Sequence, residues 1–208
     1  GPLTKVGDTV FVTSFASTSV YRVPTIDSYN GVERVRVSIQ YNTCNTQSLN
    51  AVYDLAADGN NTVWAVGYNY RYISEWTVTN STWSCDGSWI MSSPNYPVGI
   101  AVDPNTGNLN ILVTSRSSSP YTYNVWNVSR SSPNIANSIT YLATSQTIVG
   151  TVAGLVVNSP RIIVNSRSTS YSTHYIFQSA GSWVDYQGSI TLNGKGHYGI
   201  ADNGEGEL

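Results

Sequence analysis

One stretch constrains this chain more than any other: Val98-Gly-Ile-Ala-Val-Asp103, then Pro104-Asn-Thr-Gly-Asn108, then Leu109-Asn-Ile-Leu-Val-Thr114. It reads as a short apolar strand, a tight turn punctuated by Pro104, Asn105 and Gly107, and a second apolar strand. The form recurs in Asp54-Leu-Ala-Ala-Asp58 with Thr62-Val-Trp-Ala-Val66, and in Gly154-Leu-Val-Val-Asn158 with Arg161-Ile-Ile-Val164. Its first strand returns once more in Gly199-Ile-Ala-Asp-Asn203. Equivalent positions Asp54, Gly99, Gly154 and Gly199 are separated by steps of 45, 55 and 45. A strand pair this short cannot bury its apolar side chains alone, so repetition implies stacking of the units. A period of about 40–50 residues is that of four-stranded blades arranged radially.

A second regularity sits above the first. Val10-Phe-Val-Thr-Ser14 is echoed by Ile111-Leu-Val-Thr-Ser115, and Thr82-Trp83 with Ser88-Trp-Ile90 by Ser182-Trp183 with Gly188-Ser-Ile190. Alternate units, about 100 residues apart, resemble each other best. Between these landmarks lie β-branched and aromatic runs bounded by turn residues, and helical periodicity is absent. Alternation in Glu33-Arg-Val-Arg-Val-Ser-Ile39 describes an outer strand with one wet face.

The expectation is an all-β chain, a single β-propeller domain over residues 1–208 built from four blades of about 50 residues. The blades fall at 52–91, 98–147 and 152–192, with a first blade in which 8–41 is completed by 198–203. Such strand exchange between the termini would close the ring and remove open sheet edges. The alternative is four blades of a larger or multi-chain ring. A two-sheet sandwich leaves the 100-residue echo without a cause.

The phrase Gly99-Ile-Ala-Val-Asp103 with Gly107-Asn-Leu-Asn-Ile-Leu-Val-Thr114 resembles the repeat of the NHL and YWTD-type propellers. That resemblance implies the fold. The YWTD tetrad itself and the basic character of RNA-binding NHL domains are missing, so little of any family function follows. Lactonase propellers of the related family hold a metal on convergent Glu, Asn and Asp side chains. The acids here are scattered over turns and outer strands.

Ten basic residues against twelve acidic ones leave a net charge of -2 and no electrostatic footprint for nucleic acid. No apolar run is long enough to span a bilayer as a helix. Gly1-Pro2 in place of Met reads as a processed or tag-cleaved start. Cys44 and Cys85, an even pair in adjacent units, are expected to form a disulfide. Asn60, Asn80 and Asn127 each open an Asn-x-Ser/Thr acceptor for N-glycosylation. Together with the scarcity of charge, these features place the protein outside the cell, secreted or on the surface.

Catalytic chemistry finds little support. His174 and His197 lack the paired spacing of a metal site, there is no Gly-x-Ser-x-Gly elbow, and no cofactor motif occurs. Asp58, Asp103, Asn158 and Asn203 recur where the first strand ends. They could ring an axial calcium ion, but each is also what a turn into the second strand requires, and the turn reading is preferred. Trp64, Trp76 and Trp126, inside strands, are expected to pack blade against blade.

The loops between second and third strands, and those joining blades, share one face. They bring Tyr68, Arg71, Tyr96, Arg116, Arg167, Tyr171 and His197 there. Tyr and Arg dominate binding hot spots because they bury rigid area and carry a polar tip. Arg116 and Arg167 each follow a Ser and are expected at equivalent places in successive blades. The sequence therefore points to a non-enzymatic module that binds a protein or a glycan through this face. A structural subunit of a self-assembling extracellular array is a second reading, and a propeller hydrolase of lactonase type a third.

Overall fold

The computed structural model describes residues 3–7, 9–13, 20–23, 35–36, 44, 52–67, 71–79, 82–91, 95–115, 122–128, 139–141, 148, 151–167, 170–180 and 183–194. These form sixteen strands in four sheets, each of four strands. The first sheet holds β1 (Leu3–Val6), β2 (Thr9–Thr13), β3 (Val20–Val23) and β4 (Val35–Arg36). The second holds β5 (Val52–Ala57), β6 (Thr62–Gly67), β7 (Tyr72–Thr79) and β8 (Thr82–Ile90). The third runs β9 (Asn95–Val102), β10 (Leu109–Ser115), β11 (Thr122–Val128) and β12 (Ile139–Tyr141). The fourth runs β13 (Thr151–Asn158), β14 (Arg161–Arg167), β15 (Tyr171–Ala180) and β16 (Trp183–Asn193).

Each sheet is an antiparallel meander in chain order. First strands stand side by side, β1 against β5, β5 against β9 and β9 against β13. The Gly7 amide donates to the Gly59 carbonyl at 3.3 Å, tying the first sheet to the second at their first turns.

Strand alternation explains the stacking, since successive side chains leave a strand on opposite faces. On the second sheet Val63, Ala65, Trp76, Val78 and Trp83 join Phe11 and Val20 of the first in one core. Their neighbours Trp64, Val66 and Ile73 face the other way and meet Ile100, Leu109, Ile111 and Val113 of the third. A third core joins Val98, Tyr123 and Val125 to Leu155, Val164, Tyr175 and Phe177. The apolar mass thus lies between sheets. Trp64 and Trp76 pack sheet against sheet as expected, although on opposite faces. The side chain of Trp126 lies outside the described residues.

Both sequence periodicities have structural counterparts. Every first strand from the second sheet on carries a β-bulge at the same phase: Tyr53, Val98 and Ala153 are the extra residues. The alternate-unit echo appears in the outer strands, where Asp86 of β8 and Gln187 of β16 are the extra residues of matching bulges. Bulges bend and twist a strand locally, so repeated bulges give repeated blade shapes.

Terminal strand exchange is corrected. The place beside β2 is held by β1, paired from Leu3 opposite Val12 to Val6 opposite Thr9. The first sheet is therefore completed by residues that precede 8–41; residues 198–203 lie outside the described residues. Leu3-Thr-Lys-Val6 is short, carries an exposed Lys5 and lacks the Gly-Ile-Ala phrase, so the repeat pattern passes over it.

The expected Cys44–Cys85 disulfide is formed, with Cα atoms 5.2 Å apart. Beside it the Ser88 hydroxyl donates to the Cys44 carbonyl at 2.8 Å. Among the described residues no helix is long and apolar enough to cross a membrane.

Candidate ligand-binding rim

A meander sends its connections alternately to two rims. The β1–β2, β5–β6, β9–β10 and β13–β14 turns share one rim, and the second-to-third-strand connections share the other.

At the first rim the turn-forming expectation holds for the aspartates that are described. Asp58 Oδ1 accepts the backbone N–H groups of Asn60 and Thr62, at 3.0 and 3.2 Å. Asp103 Oδ1 accepts from the Asn105 amide at 3.0 Å, and its Oδ2 from the Thr106 hydroxyl at 2.9 Å. Gly107 closes this turn with φ 71°, a left-handed conformation that glycine adopts without steric cost.

The same rim staples the third sheet to the fourth. The Ser159 hydroxyl donates to Asp103 Oδ2 at 2.5 Å, and Asn105 Nδ2 donates to Asn158 Oδ1 and the Ser159 carbonyl at 3.2 and 3.0 Å. Burial pushes the Asp103 carboxyl up. The Ser159 hydroxyl, the Asn105 amide and the Thr106 hydroxyl outweigh it and hold the group below the usual carboxylate range. Asp103 therefore serves as an ionised fastener. Asn203 lies outside the described residues.

The opposite rim gathers the expected binding residues that are described. Arg71 precedes β7 with φ 57°, the one positive-φ residue other than glycine among the described residues. Its carbonyl accepts the Met91 amide at 2.7 Å, joining the start of β7 to the end of β8. Tyr96, half-buried, stands near the start of β9 opposite Thr114. Arg167 ends β14, and Tyr171 opens β15 with 37 % of its surface exposed.

The meander thus carries Arg71, Tyr96, Arg167 and Tyr171 to one rim, on three sheets. Tyr68, Arg116 and His197 lie outside the described residues. Positional equivalence of Arg116 and Arg167 is corrected. Arg167 pairs with Thr151 as Thr114 pairs with Tyr96, so Arg116 falls two residues further along. The β9–β10 turn is two residues longer than the β13–β14 turn, with Val102 opposite Leu109 where Val157 is opposite Ile162, and matching on the preceding Ser misses that difference. Arg167 is also a strand residue, because β14 runs further than its apolar run suggests.

His174 lies within β15, buried opposite Asn165. Among the glycosylation acceptors, Asn60 is exposed in the β5–β6 turn and Asn127 lies within β11, while Asn80 is outside the described residues.

One chemically distinctive residue belongs to no sequence motif. Asp54 occupies the position held by Gly99 and Gly154 in the next two repeats, directly after the bulge. The signal was a carboxylate in a slot otherwise filled by glycine.

No protein-family model matches the sequence, and no curated protein matches it. Solved structures resemble it in fold. YCF48 bound to the D1 peptide superposes with a TM-score of 0.54 at 10 % identity, over 91 % of this chain and 59 % of that one. A chain of the mitotic checkpoint complex gives 0.54 at 14 % identity, over 96 % and 55 %. A Bacteroides uniformis protein named as a candidate 6-phosphogluconolactonase gives 0.53 at 9 %, over 92 % and 55 %. The fold they share with this chain is the β-propeller, and the chain spans 55 % to 59 % of their lengths. Propellers that carry out chemistry and propellers that bind partners stand together among these structures, so fold alone does not choose between them.

Proposed function

We propose that this protein is an extracellular, non-enzymatic interaction module that captures a protein partner through the rim carrying Arg71, Tyr96, Arg167 and Tyr171. The observation that carries this reading is the division of labour between rims. Polar side chains of the first rim are consumed in turns and in the staple between sheets. The second rim carries the side chains of Arg71, Tyr96, Arg167 and Tyr171, residue types that dominate binding hot spots, near chain connections, where binding residues concentrate. The peptide bound by YCF48 supports a protein segment as the ligand class. The disulfide supports an oxidising compartment, secreted or at the cell surface.

Consecutive first strands pack together, β1 against β5, β5 against β9 and β9 against β13, which supports reading the four sheets as consecutive blades.

Immobilised peptide and glycan arrays test the binding reading. The protein is expected to capture peptides, and Arg71→Ala with Tyr171→Ala is expected to weaken capture about tenfold or more, as loss of two hot-spot residues does. Melting temperature should stay close to the parent value. Capture of glycans alone would replace the ligand class, and full peptide capture by the double variant would remove the rim from consideration.

A further inference from the structure

The seam between the second and third sheets is lined by Ala56, Trp64, Val66, Ile73, Met91, Ile100, Leu109, Ile111 and Val113, and one carboxylate stands in it. Asp54 Oδ1 accepts the amide of Leu55 on its own strand, at 3.0 Å. Its Oδ2 accepts the amide of Ile100 on β9, also at 3.0 Å, so this side chain reaches across the seam to the backbone of the next sheet. The bulge at Tyr53 delivers it there, in a slot that Gly99 and Gly154 leave without a side chain.

No cation sits opposite it on the strands packed against β5. β6 carries no titratable side chain, β9 carries Tyr96 alone, and Lys5 of β1 is exposed. Tyr53 is the other titratable residue of β5.

We propose that Asp54 makes this seam a pH-responsive joint, closed when the carboxyl is protonated and loosened when it ionises. Ionised, the charge is held by two amide donors amid apolar neighbours, and such a group draws water toward it. Protonated, the group no longer carries the cost of burying a charge, and the seam closes on its apolar packing. Burial pushes Asp54 up to about 7 against the opposing pull of the Ile100 and Leu55 amides, which places the change near neutrality. The folded value lies above the unfolded one, about 4. This contribution to stability is therefore complete below about pH 4 and is lost as pH rises through about 7. Asp103 contributes in the opposite direction, its share being lost as pH falls through its depressed folded value.

The test is NMR titration of the intact protein with residue-resolved hydrogen exchange, corrected for the intrinsic pH dependence of exchange. The Asp54 carboxyl carbon is expected to titrate with a midpoint near 7, and the Ile100 and Leu55 amide resonances should move with it. Corrected protection along β5 and β9 should fall by roughly tenfold or more as pH rises through that midpoint. In Asp54→Asn and Asp54→Gly, which remove the charge with and without the side chain, this fall should disappear. A midpoint in the ordinary carboxylate range near 4 would overturn the proposal, as would an unchanged fall in both variants. A midpoint near 7 with no fall in corrected protection along β5 and β9 would overturn it as well. The titration's outcome is independent of which ligand the rim takes.

Discussion

Replacing Trp76 with alanine is expected to destabilise the protein by about 3–5 kcal/mol, the range for truncating a fully buried large aromatic side chain. Trp76 is 1 % exposed and lies in the core between the first two sheets, with the Trp83 ring 6.3 Å away and Phe11 packed edge-on against Trp83. Its indole N–H donates to the Ser74 hydroxyl at 2.8 Å, and that hydroxyl donates in turn to the Ala65 carbonyl at 3.4 Å. Truncation thus leaves a cavity and removes a satisfied buried hydrogen bond. For a chain of this size each kcal/mol corresponds to about 2–4 °C, so the melting temperature should fall by about 10 °C. Thr82→Ala, at an exposed strand position, is the control and should change stability by about 0.5 kcal/mol or less.

Breaking the Cys44–Cys85 disulfide is the second large effect. It closes a loop with a sequence separation of 41, for which the chain-entropy model gives about 4 kcal/mol. The Cys44→Ala, Cys85→Ala double variant should show that loss as a lower urea midpoint, and reductant should shift the parent protein to the same place. Cys85 stands opposite Trp76 across β7 and β8, so the two effects should combine non-additively. A strictly additive triple variant would mean that the bridge and the aromatic core stabilise separate units.

Most strands were legible because alternation and turn chemistry act locally. Val98–Asp103 announces its strand and turn without help from the rest of the fold, and Asp103 was recognised as a turn-former from its place alone. Leu3–Val6 was invisible for the converse reason: its position is set by pairing with β2 and by packing against β5, not by its own composition. The rim was legible as a face, since a meander fixes which connections share an end. Correspondence of Arg116 with Arg167 failed because the β9–β10 turn is two residues longer than the β13–β14 turn, and matching on the Ser before each Arg takes no account of turn length. Asp54 stood in plain view as an aspartate in an apolar repeat. That its second oxygen meets the Ile100 amide, 46 residues away, follows only from the way the first strands stand together.

The account rests most heavily on sheets stacked face to face through their first strands, because both the rim and the Asp54 seam depend on it. Residue-resolved hydrogen exchange near neutral pH tests that arrangement directly. The slowest amides should lie in β6, β10 and β14, second strands that are paired on both sides and flanked by buried cores. Exchange should quicken toward the outer strands β8 and β16. If the outer strands instead exchange most slowly, or if β6, β10 and β14 exchange as fast as the exposed turn at Asn60 and Asn61, the stacked-blade arrangement is wrong.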